Sequence, residues 1–158
     1  MTNNDVLRRI RYIFDLSDTK MIAIFALAGK ETTREEISRW LKKDEDPDYL
    51  KCKDIELAAF LNGFIIFKRG PKEGSTVENE KRLNHNIIFR KINIALSLQS
   101  NDIISLFDLV GLPISKHELS AFFRNPNHKN YRECKDQLLR NFLQGLQQKL
   151  CSSEKDAK

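Results

Sequence analysis

The stretch "YLKCKDIELAAFLNGF" (Tyr49–Phe64) returns further along the chain as "YRECKDQLLRNFLQGL" (Tyr131–Leu146). The return is not a local coincidence. Set against itself at an offset of 82 residues and without gaps, the chain aligns Asn4–Gly63 with Asn86–Gly145, with 18 identities in 60 positions where chance would supply only a few. Among the pairs are Ile10 with Ile92, Phe25 with Phe107, Gly29 with Gly111, Cys52 with Cys134 and Phe60 with Phe142. Self-similarity at one fixed period marks a duplicated supersecondary unit, and the quoted stretch is its last helix.

Each copy reads as four helices. In helix one, Val6, Leu7, Ile10, Ile13 and Phe14 recur at three- and four-residue steps, matched by Ile88, Phe89, Ile92, Ala95 and Leu96; Asn4 and Asn86 are the expected N-caps. Helix two, "KMIAIFALAG" or "DIISLFDLVG", is apolar on most faces, which predicts a central buried element, with Gly29 and Gly111 at the left-handed C′ position. Helix three opens with a capping box in both copies, Thr33 to Glu36 and Ser115 to Glu118. Helix four starts near Asp54 or Asp136, the expected caps, and presents Leu57, Phe60, Leu61 and Phe64 against Leu139, Phe142, Leu143 and Leu146. The first copy stops at "KRGP", since neither glycine nor proline continues a helix.

The predicted organisation is copy one over residues 1–69, a polar linker over 70–83, copy two over 84–150 and a disordered tail over 151–158. A copy of about 65 residues without disulfides buries a marginal core. The fold class is therefore all-α, two tandem four-helix repeats packed into one compact helical body. Divergence between the copies suggests where they meet: Ile65, Ile66 and Phe67 correspond to Gln147, Gln148 and Lys149, while Lys30, Glu31 and Thr32 correspond to Leu112, Pro113 and Ile114.

With 41% hydrophobic and 31% charged residues, the composition is that of a globular protein. No apolar run approaches the roughly 18 residues that span a bilayer, and the start lacks the order of a secretion signal; a cytoplasmic location without membrane contact is expected. The three cysteines, without CxxC spacing, are read as reduced thiols. The net charge of +5 is unevenly placed: residues 1–70 carry 13 basic against 12 acidic side chains, residues 83–151 carry 9 against 5.

The segments "NDVLRRIRYIF", "FLNGFIIFKRG" and "RNPNHKNYRECKDQLLRNFLQGL" closely resemble the YehS-like family of small bacterial proteins, which carry two tandem copies of a domain of unknown function. The resemblance spans nearly the whole chain. It implies a bacterial cytosolic protein of paired helical domains, and it implies no activity and no site residues.

Chemistry must then be sought in the residues themselves. A thiol beside a helix N-terminus can act as a nucleophile, but Cys52 and Cys134 occupy the same place in both copies. A packing role repeats with a fold and an active site normally does not, so both are read as small buried hydrophobes. His85, His117 and His128 lack ligand spacing, phosphate-cradling glycine motifs are missing, and "DEDPD" (Asp44–Asp48) lacks the ligand alternation of an EF-hand loop. No enzyme, metal or cofactor is implied. A helix-turn-helix reading of helices two and three founders on Glu35 and Glu36, which would meet phosphates.

The most informative difference lies between helices three and four. Where copy one has "WLKKDEDPDYLKCK", copy two has "FFRNPNHKNYRECK": one structural loop, acidic in one copy and neutral to basic in the other. Arg124, Asn125, His128, Lys129, Arg132 and Lys135 form the candidate binding set. The expected function is a non-enzymatic interaction or adaptor module with a protein partner; the alternative is nucleic-acid binding through phosphate contacts of the same loop.

Overall fold

The computed structural model describes residues 1–72 and 77–156, and every regular element in them is a helix. In chain order these are α1 (Asn3–Phe14), α2 (Asp18–Leu27), α3 (Arg34–Trp40), α4 (Asp54–Arg69), α5 (His85–Ala95), α6 (Ser100–Leu109), α7 (Lys116–Ala121) and α8 (Asp136–Asp156). The chain divides into two compact units, Met1–Leu83 with Ile94–Leu96, and Asn84–Asn93 with the chain from Ser97 onward. The all-helical tandem repeat expected from the sequence is present.

Within each unit the second helix packs against the third and fourth, α2 on α3 and α4, α6 on α7 and α8. Its apolar run is not buried all round, however. Met21, Ile24 and Phe25 form the inward stripe of α2, while Leu27 is 44% exposed, and its counterpart Leu109 is 50% exposed. The short α3 and α7 cover only one side, so a helix apolar on most faces still leaves one face uncovered.

The aromatic cores differ in their hub. In the first unit Phe25 lies 5.3 Å from both Trp40 and Phe60. In the second, Phe89 takes the position of Leu7 and contacts Phe107, Phe122, Phe123 and Phe142 at 4.8 to 6.4 Å. With Phe122 at the position of Trp40 and Phe89 at that of Leu7, the second unit carries a ring on its first helix where the first unit carries a leucine.

Helix ends follow local chemistry. Gly29 and Gly111 adopt φ +80° and +72°, and the amides of Lys30 and Leu112 donate back to the carbonyls of Phe25 and Phe107, the 6→1 bond of a Schellman motif. The capping box of α7 is complete, with Ser115 and Glu118 exchanging side-chain and backbone bonds; α3 makes only the half in which Thr33 Oγ1 accepts the Glu36 amide. Asn4 and Asn86 are not caps. Thr2 caps α1 and Asn84 caps α5, because each helix begins before the asparagine that the sequence pattern favours.

Asp54 and Asp136 are first helical residues and not caps. Asp54 accepts from Asn3 Nδ2 and from the Leu83 amide, and Lys53 precedes it as the N-cap. Leu83 belongs to the segment expected to be a linker; Asn79 and Glu80 of the same segment accept from Asn62, and Asn79 donates to the Ala28 carbonyl. The described part of this connection is therefore bonded onto the first unit, and residues 73–76 lie outside the described residues. The tail expectation also needs correction for 151–156: α8 runs to Asp156, since "QQKLCSSEKD" contains neither glycine nor proline to stop it. Residues 157 and 158 lie outside the described residues.

Candidate interaction loop between α7 and α8

What holds this loop in place is a buried asparagine. Asn86 of α5 donates from Nδ2 to the carbonyls of Phe122 (3.1 Å) and Arg132 (2.9 Å), and its Oδ1 accepts the Cys134 amide at 2.7 Å. Asn4 does the same in the first unit, donating to Trp40 and Leu50 and accepting from Cys52, with the Tyr49 hydroxyl as an added donor. Both asparagines are buried. The amide, with a donor and an acceptor on one planar head, staples both ends of the loop to the first helix.

The backbone of the loop is the same in both units. The amides of His128 and Tyr131 donate to the carbonyls of Asn125 and His128, and Arg132 closes back on Ala121; in the first unit Asp46, Tyr49 and Leu50 bond to Lys43, Asp46 and Arg39 in the same order. Even a side chain is matched. Nδ1 of His128 accepts the Asn130 amide at 3.0 Å, as Oδ1 of Asp46 accepts the Asp48 amide at 2.9 Å. An accepting Nδ1 leaves the ring hydrogen on Nε2.

The six candidate residues thus fall into two groups. Arg124 bonds the Asn130 carbonyl and Ser120 Oγ, Asn125 Oδ1 takes the Asn127 amide, and His128 is spent on its turn. Arg132 lies over the Phe122 ring, its guanidinium carbon 5.5 Å from the centroid, and Nη1 is 3.9 Å from Glu118. Bonds from the Ser115 backbone and side chain hold the Glu118 carboxyl below its usual range, so it is anionic beside that guanidinium. Lys129 and Lys135 are exposed, and their ammonium groups make no hydrogen bond or ion pair among the described residues.

The structure therefore brings all six onto one loop and uses half of them to shape it. Sequence reasoning took Asn86 and Glu118 for helix-capping residues and Phe122 for a core residue alone, and so missed that all three position the set. The identity of Asn4 with Asn86, two residues before an apolar stripe in each copy, was the signal available for the first.

The two thiols at equivalent positions of the repeat are buried, as packing residues would be. Burial, then the Glu56 and Asp54 carboxylates, push the Cys52 thiol up to about 12; burial and Glu133 push Cys134 up to about 12 as well. Neither supplies a thiolate near neutral pH. Among the described residues no helix is long and apolar enough to cross a membrane.

Two tandem helical units of this kind define a class that comparison with known proteins recovers directly. The family described as "Protein of unknown function (DUF1456)" matches twice, over residues 3–70 and 85–150, and the chain belongs to it. A relative in Escherichia coli (strain K12), named "Uncharacterized protein YehS", is 43% identical over 147 residues, which cover 92% of this chain and 94% of that protein. No solved structure matches.

Proposed function

We propose that the chain is a non-enzymatic helical interaction module whose reading surface is the α7–α8 loop. One observation supports this above others: the fold builds the same stapled turn twice, with Lys42, Lys43, Lys51 and Lys53 balanced by Asp44, Glu45, Asp46 and Asp48 in one unit, and with Arg124, Lys129, Arg132 and Lys135 against Glu133 alone in the other. Asp46 and Arg124 bond the turn itself, whereas the side chains of Lys129 and Lys135 take no part in it. A rigid turn with basic side chains at fixed spacing suits an acidic protein surface, where charge complementarity governs partner choice and encounter rate.

The test is affinity capture with the intact chain after nuclease treatment. A partner that survives nuclease and is lost from Lys129→Ala/Arg132→Ala/Lys135→Ala is the expected result; undiminished capture by that variant removes the loop from the function. The exposed lysines also fit phosphates, which gives the nucleic-acid reading its footing. Binding of that kind must weaken steeply as salt rises, so RNA or DNA affinity no better than about 0.1 mM at low salt, where real binders are tighter than the ~10⁻⁴ to 10⁻⁶ M they show non-specifically at physiological salt, ends it.

A further inference from the structure

Lys68 is exposed near the end of α4, yet its ammonium is ringed by phenyl groups. Nζ lies 4.9 Å from the centroid of Phe14, 5.8 Å from Phe64 and 5.8 Å from Phe67, all inside the roughly 6 Å reach of a cation–π contact. Phe14 and Phe64 meet at 59° with centroids 5.1 Å apart; Phe64 is fully buried with Lys68 over its ring, so it is a wall only for a group that takes the place of Lys68. Phe67, 42% exposed, is the third and faces water.

The second copy of the repeated sequence shows what the repeat needs at these positions. At the offset of 82 residues the four positions are Leu96, Leu146, Lys149 and Leu150, so aliphatic volume suffices and no ring is required. What three rings add is a set of electron-rich faces turned on one point. Lysine is not the cation that profits most from them. Its ammonium is compact and strongly hydrated, and an exposed one keeps much of its water. A quaternary ammonium spreads the same charge over methyl groups, surrenders less hydration and fits apolar walls.

We infer that Phe14, Phe64 and Phe67 form an aromatic cage for a quaternary alkylammonium group, with Lys68 as its intramolecular occupant in the free protein. The cage stands apart from the α7–α8 loop and does not rest on the function proposed for it. Its ligand is either a free small molecule with a quaternary ammonium head or a trimethylated lysine side chain, which share that chemistry.

Tetramethylammonium titrated into the full chain, read by the aromatic resonances of Phe14 and Phe67, tests the cage; tert-butanol is the neutral probe of like shape. The expected result is a saturable shift with tetramethylammonium alone, at least about fivefold tighter in Lys68→Ala because the competitor is gone. It should vanish in Phe67→Lys, an exposed position carrying the second unit's residue. Absence of saturation in Lys68→Ala, an equal response to tert-butanol, or no tightening on removing Lys68 overturns the proposal. With the cage established, preference for choline assigns a free small molecule, and preference for Nε-trimethyllysine assigns a side chain.

Discussion

A single buried asparagine in each unit decides where the loop before its last helix sits. Asn86 satisfies two carbonyls and one amide that burial would otherwise leave without partners, and each buried group left unpaired costs about 1–3 kcal/mol. Asn86→Ala should therefore destabilise the second unit by about 3 kcal/mol or more, read as a lower urea midpoint. Asn86→Asp should be no rescue, since a carboxylate keeps the acceptor for Cys134 and loses both donations. The sequence pointed to these asparagines but misassigned them as caps, because capping preference is a local rule and their partners lie 36 to 48 residues away.

The cysteines belong to the same scale, and there the repeat was a sound guide. A thiol whose ordinary value is 9.0 and which burial raises to about 12 is protonated in the fold and ionised earlier in the unfolded chain. The unfolded state then binds fewer protons above pH 9, so this contribution to stability falls as pH rises from about 9 towards 12. At pH 8, a thiol reagent should label half-buried Cys151 in the native protein and reach Cys52 and Cys134 only on unfolding. Rapid native labelling of all three would contradict their role as packing residues.

At the scale of elements, each helix pair meets through a glycine that the sequence pattern leaves unremarked. A Cβ on Gly63 would stand 1.9 Å from the Ile24 carbonyl oxygen, and one on Gly145 would stand 2.4 Å from that of Leu106. Since neither backbone can yield without moving a helix, Gly63→Ala should separate α2 from α4 and cost about 3 kcal/mol or more, at or above the upper end of ordinary overpacking. Gly29→Ala meets nothing within 4 Å and should cost about 1 kcal/mol, through its positive φ alone. Thermal unfolding of the two variants separates the mechanisms. Helix-terminal glycines were legible from their position after an apolar run; interior glycines were not, since close approach is a property of two helices.

For the whole molecule, duplication was the most legible feature, and it fixed both the helical class and the place to look for a site. The offset of 82 residues made each unit the control for the other. Which of the six loop residues shape the turn and which remain available was not legible, because an arginine bonding a carbonyl and one awaiting a partner look alike in sequence. His128 shows why: only its bond to the Asn130 amide, in the place of Asp46, reveals it as part of the scaffold.

The equivalence of the two turns also supplies the most direct measurement. Replacing residues 124–133 by the ten residues found at 42–51 exchanges the side chains while keeping the hydrogen-bonded backbone that both sequences adopt. The proposed function predicts that capture of the nuclease-resistant partner falls at least about tenfold, a loss of about 1.4 kcal/mol, while helical content is unchanged. Undiminished capture by the exchanged chain would contradict the assignment of partner recognition to this loop.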